Sequence, residues 1–384
     1  MEIILAKKDL LRLVARMQGV AERKSTMPIL ASVQLSTQGD DTVRLAATDM
    51  YLSLSGVVAA QVKRPGSVAV PAKDLFERIK MMPDGPLSLS STDGAQTVIK
   101  AVGSARRYTL RGSPGTDFPQ LPQPAESAAK VEIAIDVLRE LIAKTFFSIS
   151  GDESRAHLNS ALFEWEGTKV RMVTTDGHRL SKMEASGVPE ANFAMLVPQK
   201  AILELRGLCE EMMVQDADKG AGTSPTLTIQ QSGPNAFFRA GSTTFGVKLV
   251  DAQFPPYAQV IPQATDKIVT APRLDLASAL RAVSIAASDR SGGVKVSVGA
   301  GKLRITSESP DAGDGFDELP VDYDGVELTI GFNAKYFLDV LAALDENEVE
   351  LSLSRELDPV VIRPKKEKGK ADRDFLAVVM PMRI

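Results

Sequence analysis

A threefold internal repeat constrains the fold of this chain more than any other feature of its sequence. Within 384 residues, Thr48-Asp49 returns as Thr175-Asp176 after 127 positions, and Phe118-Pro119 returns as Phe254-Pro255 after 136 positions. A third copy, with weaker residue identity, ends at Met380-Pro381. Repeats of this length predict consecutive units of similar structure. We therefore expect three domains, each about one third of the chain.

Each repeat is itself doubled, and each half predicts a strand, a helix and three further strands. Apolar residues at intervals of three and four predict helices, and alternating apolar and polar residues predict strands. The first helix has apolar residues at this helical spacing, Leu10, Leu11, Val14 and Met17. Since a sheet must bury one face, we predict an α+β architecture in which helices cover sheets. The predicted helices span residues 7–18, 72–82, 136–147, 198–213, 273–287 and 333–344.

Proline-rich and polar segments mark the expected boundaries and loops. Two Pro-rich segments, 114–126 and 255–266, predict the limits of the three repeats. The polar segments 216–225 and 365–374 predict exposed hairpin loops inside domains. The resulting domains span residues 1–124, 125–262 and 263–384.

Motifs for enzymatic chemistry are scarce. The sequence contains no GxxxxGK[ST] phosphate loop and no GxSxG nucleophile elbow. The glycine pairs Gly220/Gly222 and Gly313/Gly315 are expected in loops, outside the strand-to-helix context of a dinucleotide site. With only 2 histidines in the chain, a HExxH zinc site would need both of them four positions apart, and they are not. We therefore expect no cofactor.

Two further features raise the questions of a bound ion and a reactive thiol. Asp311, Asp314 and Asp317 are acidic neighbours, but their spacing fails the EF-hand pattern and favours a plain acidic loop. Cys209, the single cysteine, lies on a predicted amphipathic helix, which favours a buried structural thiol over a nucleophile. Because one cysteine forms no internal disulfide, we expect a reducing, cytoplasmic location.

The local sequence TTDGHRL, residues 174–180, has two interpretations. Asp-Gly between two strands is typical of a tight turn. Alternatively, His178 could act as a general base oriented by Asp176, although no nucleophile is evident nearby. The residues alone leave both interpretations open.

Three segments carry a resemblance to a known family. TTDGHRLSKM, LVDAQFPPYAQVIP and the ending VVMPMRI are similar to segments of the bacterial β sliding clamps, and the resemblance extends over the whole chain. It implies a non-enzymatic processivity subunit of the replicative DNA polymerase. The implied fold has three similar domains, each of two strand-helix-three-strand units. Two protomers would join head to tail into a ring around duplex DNA, with helices lining the hole and sheets outside.

The resemblance also implies three groups of site residues. A dimer interface would involve Arg107, Tyr108, Leu110 and Ile285. DNA contacts would involve Arg23, Lys24, Lys73, Arg155 and Lys200. A pocket for short peptides of the polymerase, the clamp loader ATPase and other partners would involve Leu158, Thr175, Gly177, His178, Arg179, Leu180, Pro255, Val260, Leu357, Pro359, Met380, Pro381, Met382 and Arg383. Leu, Val, Pro and Met suit an apolar trough for leucine and aromatic anchors, with His178, Arg179 and Arg383 as polar rim contacts.

Charge neither excludes nor establishes this function. The chain has 45 Lys and Arg against 49 Asp and Glu, a net charge of −4, which argues against binding of DNA by bulk positive charge. The six predicted helices together carry a small net positive charge, so the remaining residues are more acidic. A weakly basic lining would bind without reading sequence and would allow sliding. An enzyme using Asp176 and His178, and a scaffold that binds protein only, are the alternatives.

Four features of the sequence depart from the family pattern. Gln259 stands where some clamps have a basic residue, and Ala156-His157 replaces an aromatic pair at a DNA-contacting loop. The charged insert 365–374 has no assigned role. Ile384 replaces a terminal leucine, a near-isosteric change with little expected effect.

Overall fold

The computed structural model describes most of the chain. The described residues are 1–21, 26–92, 96–219, 225–262, 265–287, 292–310, 313–365 and 373–383, without the side chains of 215–219. Residues outside the described part therefore include Arg23, Lys24, Gly220, Gly222, Asp311, Ile384 and residues 366–372 of the charged insert. Six helices and twenty-four strands occupy this part of the chain.

The first repeat follows the predicted order, with two short additional strands, β5 and β10. Its elements are β1 (Glu2–Ala6), α1 (Lys7–Val20), β2 (Ser32–Gln38), β3 (Thr42–Thr48), β4 (Leu52–Ala59), β5 (Gln61–Arg64), β6 (Ser67–Pro71), α2 (Ala72–Lys80), β7 (Pro86–Ser91), β8 (Gln96–Ala101), β9 (Arg107–Arg111) and β10 (Ser113–Pro114). Helix α1 buries Leu10, Leu13, Val14 and Met17, the full i, i+3, i+4, i+7 set. Leu11, which shares the apolar spacing, is half-buried.

The second repeat contains two long strands that run through segments predicted as separate strands. Its elements are β11 (Lys130–Ala134), α3 (Ile135–Thr145), β12 (Ser160–Thr175), β13 (Arg179–Pro198), α4 (Gln199–Lys219), β14 (Thr226–Ser232), β15 (Asn235–Ala240) and β16 (Thr243–Lys248). A register shift near Gly167 interrupts the β12–β13 pairing. Helix α4 continues to Lys219, so the prediction of a loop is wrong for residues 216–219. Cys209 is fully buried on this helix, as predicted.

The third repeat has the predicted eight strands and two helices. Its elements are β17 (Lys267–Pro272), α5 (Arg273–Ser284), β18 (Gly293–Gly299), β19 (Lys302–Ser309), β20 (Gly313–Pro320), β21 (Leu328–Asn333), α6 (Ala334–Ala342), β22 (Glu348–Leu353), β23 (Val360–Pro364) and β24 (Arg373–Val379). Gly313 and Gly315 lie in β20, so the prediction of a loop for them is wrong. The Gly315 backbone packs on α5, where an added Cβ would lie 3.1 Å from Val283 O and from Ala286 Cβ. That close approach explains why glycine occupies a strand position.

The chain forms two compact units, each built on two antiparallel sheets. The first unit, Met1–Ile135 with Glu210–Leu249, holds a five-stranded sheet in the order β5-β1-β7-β8-β9. Its nine-stranded sheet, β10-β6-β2-β3-β4-β16-β15-β14-β11, joins the first repeat to the second where β4 pairs with β16. Within this unit, Glu211 of α4 forms ion pairs with Arg12 and Arg16 of α1.

The second unit, Asp136–Cys209 with Val250–Ile384, repeats this arrangement. Its six-stranded sheet, β12-β13-β24-β23-β22-β17, joins the second repeat to the third where β13 pairs with β24. Its four-stranded sheet has the order β20-β19-β18-β21. Each unit therefore contains a sheet that continues from one repeat into the next, which explains why three repeats form two compact units.

Candidate functional site

The turn between β12 and β13 is held by its own side chains. Thr175 Oγ1 donates to the Arg179 carbonyl at 2.7 Å. Asp176 Oδ1 accepts from the backbone N–H groups of His178 and Arg179 at 2.9 and 3.0 Å. Gly177 has φ 93°, a value that glycine adopts without a steric penalty. The prediction of a tight turn at this sequence is confirmed.

The geometry of Asp176 rules against the catalytic interpretation. Its second oxygen, Oδ2, accepts from Arg179 Nε at 3.0 Å, so the carboxylate holds the turn and the guanidinium. The His178 ring instead stacks on Tyr336 of α6, with 6.2 Å between centroids and 15° between planes. A base–carboxylate pair requires a hydrogen bond that orients the imidazole, and Asp176 is engaged elsewhere.

Arg179 is a buried side chain, and the prediction that it offers a rim contact is wrong. Its residue is 8% exposed. Nη1 donates to Asp339 Oδ2 at 2.6 Å and Nη2 donates to the Phe147 carbonyl at 2.6 Å. The guanidinium also lies 4.7 Å from the centre of the Tyr336 ring. A guanidinium enters a protein interior only when its donors are satisfied, and these contacts satisfy that requirement.

The C-terminal segment runs beside this turn. Strand β24 pairs with β13 in a register that places Val379 opposite Arg179. The Met380 N–H then donates to the His178 carbonyl at 2.9 Å, and the Met382 N–H donates to Gly331 O at 2.8 Å. Met380 is 38% exposed and Arg383 is exposed, whereas Pro381 and Met382 are half-buried. The structure therefore brings together the predicted residues from both ends of the pocket.

An apolar cluster lies in the sheet next to the turn. Four partly buried residues of the stretch 250–261 pack on it: Val250, Phe254, Tyr257 and Ile261. Leu180 is 2% exposed and belongs to the cluster, so it forms part of the core where a lining role was predicted. Leu158 and Thr175, also predicted to line the pocket, are buried as well. The members of the cluster are Leu162, Val173, Leu180, Leu196, Val361, Leu376 and Val378.

The segment Pro255–Val260 is anchored by Tyr257. The Tyr257 N–H donates to Pro255 O at 2.7 Å, and Val260 N–H donates to Tyr257 O at 3.1 Å. The phenol donates to Glu164 Oε2 at 2.8 Å and accepts from Arg171 Nη1 at 3.4 Å. Burial, with the Glu164 carboxylate adding to it, raises the pKa of Tyr257. This anchoring leaves Val260 41% exposed at the surface.

The remaining predicted pocket residues lie in the same unit at the β22–β23 connection. Leu357 is 63% exposed and Pro359 is half-buried. The hydrogen bonds and apolar contacts described above do not include these two residues. Sequence reasoning missed Tyr336, Asp339 and Tyr257. The spacing of Tyr336 and Asp339, three apart on a helix, places them on one face, but nothing in the sequence pairs that face with Arg179.

The predicted DNA-contacting residues that are described all lie at the surface. Lys73 is exposed on α2, in the first unit. Arg155 pairs with Asp152 at 2.8 Å, and its carbonyl accepts from Asn159 N–H at 2.8 Å. Asn159 O in turn accepts from Gln199 N–H at 3.0 Å, beside Lys200. The loop of Arg155 is thus tied to the start of α4, where Lys200 is exposed.

Three of the predicted dimer residues lie on the edge strand β9, and the fourth, Ile285, directly follows α5. β9 pairs with β8 alone and β20 pairs with β19 alone among the described strands. On β9, Arg107 is exposed and Tyr108 half-buried, but Leu110 is 4% exposed and packs inside its own unit. Beyond α5, Ile285 is 82% exposed, and Phe316 on β20, which the sequence did not indicate, is 64% exposed.

Neither a metal cluster nor a membrane helix is found in the part of the chain that the structure describes. None of its groups of His, Cys, Asp and Glu could hold a metal ion. Asp314 and Asp317 are three apart on β20, so they point to opposite faces of the strand. None of the described helices is long and apolar enough to cross a bilayer.

Comparison with known proteins identifies the family. Models of the N-terminal, central and C-terminal domains of the DNA polymerase III beta subunit match residues 1–122, 132–256 and 258–383. A beta sliding clamp of Pseudomonas putida is 33% identical over 390 residues, covering all of both chains. The crystal structure of the Pseudomonas aeruginosa beta subunit (30% identity, TM-score 0.89) and that of a Bartonella birtlesii sliding clamp bound to griselimycin (30%, 0.90) likewise cover both chains fully. The chain therefore belongs to the beta sliding clamp family, the non-catalytic processivity subunits of DNA polymerase III.

Proposed function

We propose that two copies of this chain close into a ring around duplex DNA, and that the ring tethers the replicative polymerase and other proteins. The full-length match to sliding clamps carries this proposal. The three matched ranges support domains at 1–124, 125–262 and 263–384. A loader ATPase would open and close the ring in the cytoplasm. Retention would come from closure of the ring, so a few weak contacts to phosphate would suffice.

The ring would close through edge strands. β9 of one protomer would pair with β20 of the other, since an exposed edge is a template for another strand. Ile285 and Phe316 would bury their exposed side chains against the region of Arg107 and Tyr108. Leu110 supports this edge from inside its own unit.

DNA contacts would come from exposed cations at helix starts and nearby loops. Lys73, Arg155 and Lys200 have this position, and Arg23 and Lys24 complete the proposed set. Such contacts neutralise phosphates without reading bases. Binding to linear DNA should therefore be weak and salt-sensitive at a net charge of −4.

The proposed peptide groove combines the turn, the C-terminal segment and the Pro-rich wall. Met380 and Val260 offer exposed apolar surface on either side, and His178 and Arg383 offer polar contacts. Two related sliding clamps were crystallised with griselimycin, which supports a ligand groove in the family. Gly177, Pro255, Leu357, Pro359, Pro381 and Met382 would contribute backbone and apolar contacts, above the buried Leu158, Thr175, Arg179 and Leu180.

Assembly gives the most direct test of the ring. The protein should have twice the 41.2 kDa mass of one chain by light scattering. Ile285→Asp should shift it to monomer, because it places a charge in an apolar interface, while Ile268→Asp, at another exposed isoleucine, should not. A stable monomer of the unaltered protein at micromolar concentration would contradict the proposal. A dimer that is never retained on circular DNA would support the protein-only scaffold.

A further inference from the structure

Arg179 joins three segments that are distant in sequence. Its guanidinium binds Asp176 within the turn, the Phe147 carbonyl that follows α3, and Asp339 on α6. The separations along the chain to the last two are 32 and 160 residues. No other side chain named in the groove connects the turn both to α6 and to the residues after α3.

The same contacts hold the neighbouring residue, His178. Its ring stacks on Tyr336, and the Tyr336 ring also lies under the Arg179 guanidinium. Its carbonyl accepts the Met380 N–H. The position of His178 therefore depends on how the turn is fixed to α6.

We propose that Arg179, with Asp339, is a positioning pair that keeps the peptide groove formed before a ligand binds. The pair fixes the turn to α6, so that His178 and the C-terminal segment are already ordered before a ligand binds. Binding then does not lose free energy to the ordering of these residues. This inference rests on the proposed groove and adds the residues that pre-organise it. At 8% exposure, the guanidinium is itself shielded from a peptide.

Direct recognition of a peptide carboxylate by Arg179 is the competing account. It predicts that only peptides with an acidic residue respond to changes at Arg179. It also predicts no effect of Asp339→Asn, since that change leaves the cation in place. Positioning predicts equal losses for all ligands.

The test uses three variants and three probes on the full chain. The variants are Arg179→Lys, Asp339→Asn and the double variant, with Arg78→Lys, which alters the exposed Arg78–Asp74 pair on α2, as the matched control. The probes are griselimycin and two labelled peptides with leucine and phenylalanine anchors that differ only by Asp or Asn. Fluorescence anisotropy and calorimetry give the affinities, and hydrogen exchange reports the backbone N–H groups of His178 and Arg179 without ligand.

Arg179→Lys should lower the affinity for all three probes by about tenfold, because lysine cannot form the several hydrogen bonds that the planar guanidinium forms. Asp339→Asn should lower these affinities by about fivefold. The loss in the double variant should be close to that of Arg179→Lys alone and should not exceed the product of the two single losses, because the two residues act as a pair. Hydrogen exchange at the backbone N–H groups of His178 and Arg179 should accelerate in these variants. The melting temperatures should stay above the temperature of the measurement, so that the variants remain folded.

Three results with the variants would overturn the inference. A loss confined to the Asp peptide would assign Arg179 to direct recognition. Unchanged affinity for Asp339→Asn, or unchanged exchange in Arg179→Lys, would remove the positioning role. If the unaltered protein bound none of the probes, the proposed groove itself would be wrong, and the inference would fail with it. This outcome is distinguishable from failure of the inference alone, because it is seen with the unaltered protein and without any variant.

Discussion

Two turns of this molecule, 127 positions apart, have the same pattern of hydrogen bonds and differ in the residues that they contact. Thr48 Oγ1 donates to Leu52 O at 2.7 Å, as Thr175 Oγ1 does to Arg179 O. Asp49 Oδ1 accepts from the N–H groups of Tyr51 and Leu52 at 2.9 and 2.6 Å, as Asp176 does two and three residues on. Each turn also receives an N–H from a later strand, from Lys248 to Tyr51 O and from Met380 to His178 O.

The difference lies in the three residues that follow the aspartate. Met50 has φ 77° where Gly177 has φ 93°, so the first turn tolerates a strain that the second avoids. Leu52 is a 2% exposed core residue where Arg179 binds Asp339 of α6. The Thr-Asp pair thus specifies the turn, and the residues after it determine whether the turn is joined to a helix of the next repeat.

The apolar residues around the turns differ in the same sense. Ala46 and Ala69 of the first repeat occupy the positions equivalent to Val173 and Leu196, 127 residues later. Phe118 is 5% exposed and packs on both alanines, with Ile29 and Leu121 beside it. In the second unit the cluster has larger side chains, and Phe254 and Tyr257 remain only partly buried. The first cluster is therefore covered by a buried phenylalanine of its own linker, whereas the aromatic residues over the second cluster keep part of their surface exposed.

The largest expected difference between the turns concerns their aspartates. Asp176→Ala removes the partner of a buried guanidinium and should reduce the free energy of unfolding of its unit by about 3 kcal/mol. Asp49→Ala removes two backbone hydrogen bonds of a turn in which the apolar Leu52 stands in place of Arg179, and should cost about 1 kcal/mol. Urea unfolding, monitored by hydrogen exchange within each unit, measures the loss of unfolding free energy in both variants. Equal losses would contradict this difference between the two turns.

Substitutions at Met50 and Gly177 test the backbone strain that a positive φ imposes. Gly177→Met should cost about 1 kcal/mol from the positive φ alone, because an added Cβ meets nothing within 4 Å. Met50→Gly should change stability by less than that, since relief of strain offsets the entropy of glycine. Melting temperatures measure both changes. A gain in stability for Gly177→Met would show that the second turn does not require glycine.

Tyr257→Phe tests the wall of the proposed groove. The change removes one hydroxyl from Glu164 and Arg171 and should cost about 1 kcal/mol or less of stability. Because the wall carries Val260, griselimycin affinity should fall by about threefold. Tyr51→Phe, at an exposed tyrosine in the turn of the first repeat, is the control. Unchanged affinity would mean that this wall does not contact the ligand.

The smallest effect is a pH dependence from the same phenol. Its folded-state pKa is raised, so the folded state favours the protonated form. This contribution is complete below the unfolded-state pKa of about 10 and is lost as the pH rises through the folded-state pKa. Stability of the unaltered protein should fall more steeply above pH 10 than that of Tyr257→Phe. Parallel curves for the two proteins would contradict the assigned shift.

Local features of this molecule were predictable, and long-range ones were not. The six helices were found because apolar spacing is a local property. Even so, α4 extends through the acidic residues Asp216 and Asp218, where polarity suggested a loop. Gly313 and Gly315 were predicted to lie in a loop although they belong to β20, because only the fold shows that Gly315 packs on α5.

The proposed groove shows the same limit. The turn at residues 174–180 was predicted from Asp-Gly, and its proximity to the C-terminal segment from the resemblance. The burial of Arg179 was not, because its partner Asp339 lies 160 residues away and only the fold brings them together. Polarity placed Arg179 at the rim, whereas its hydrogen bonds place it in the interior.

Topological retention on DNA tests the central claim most directly. The protein is loaded by a loader ATPase with ATP onto nicked circular DNA, half of which is then linearised, and bound protein is measured after transfer to high salt. A closed ring predicts retention on the circle and loss from the linear form, because salt removes phosphate contacts but cannot open the ring. Equal loss from both forms would contradict the account.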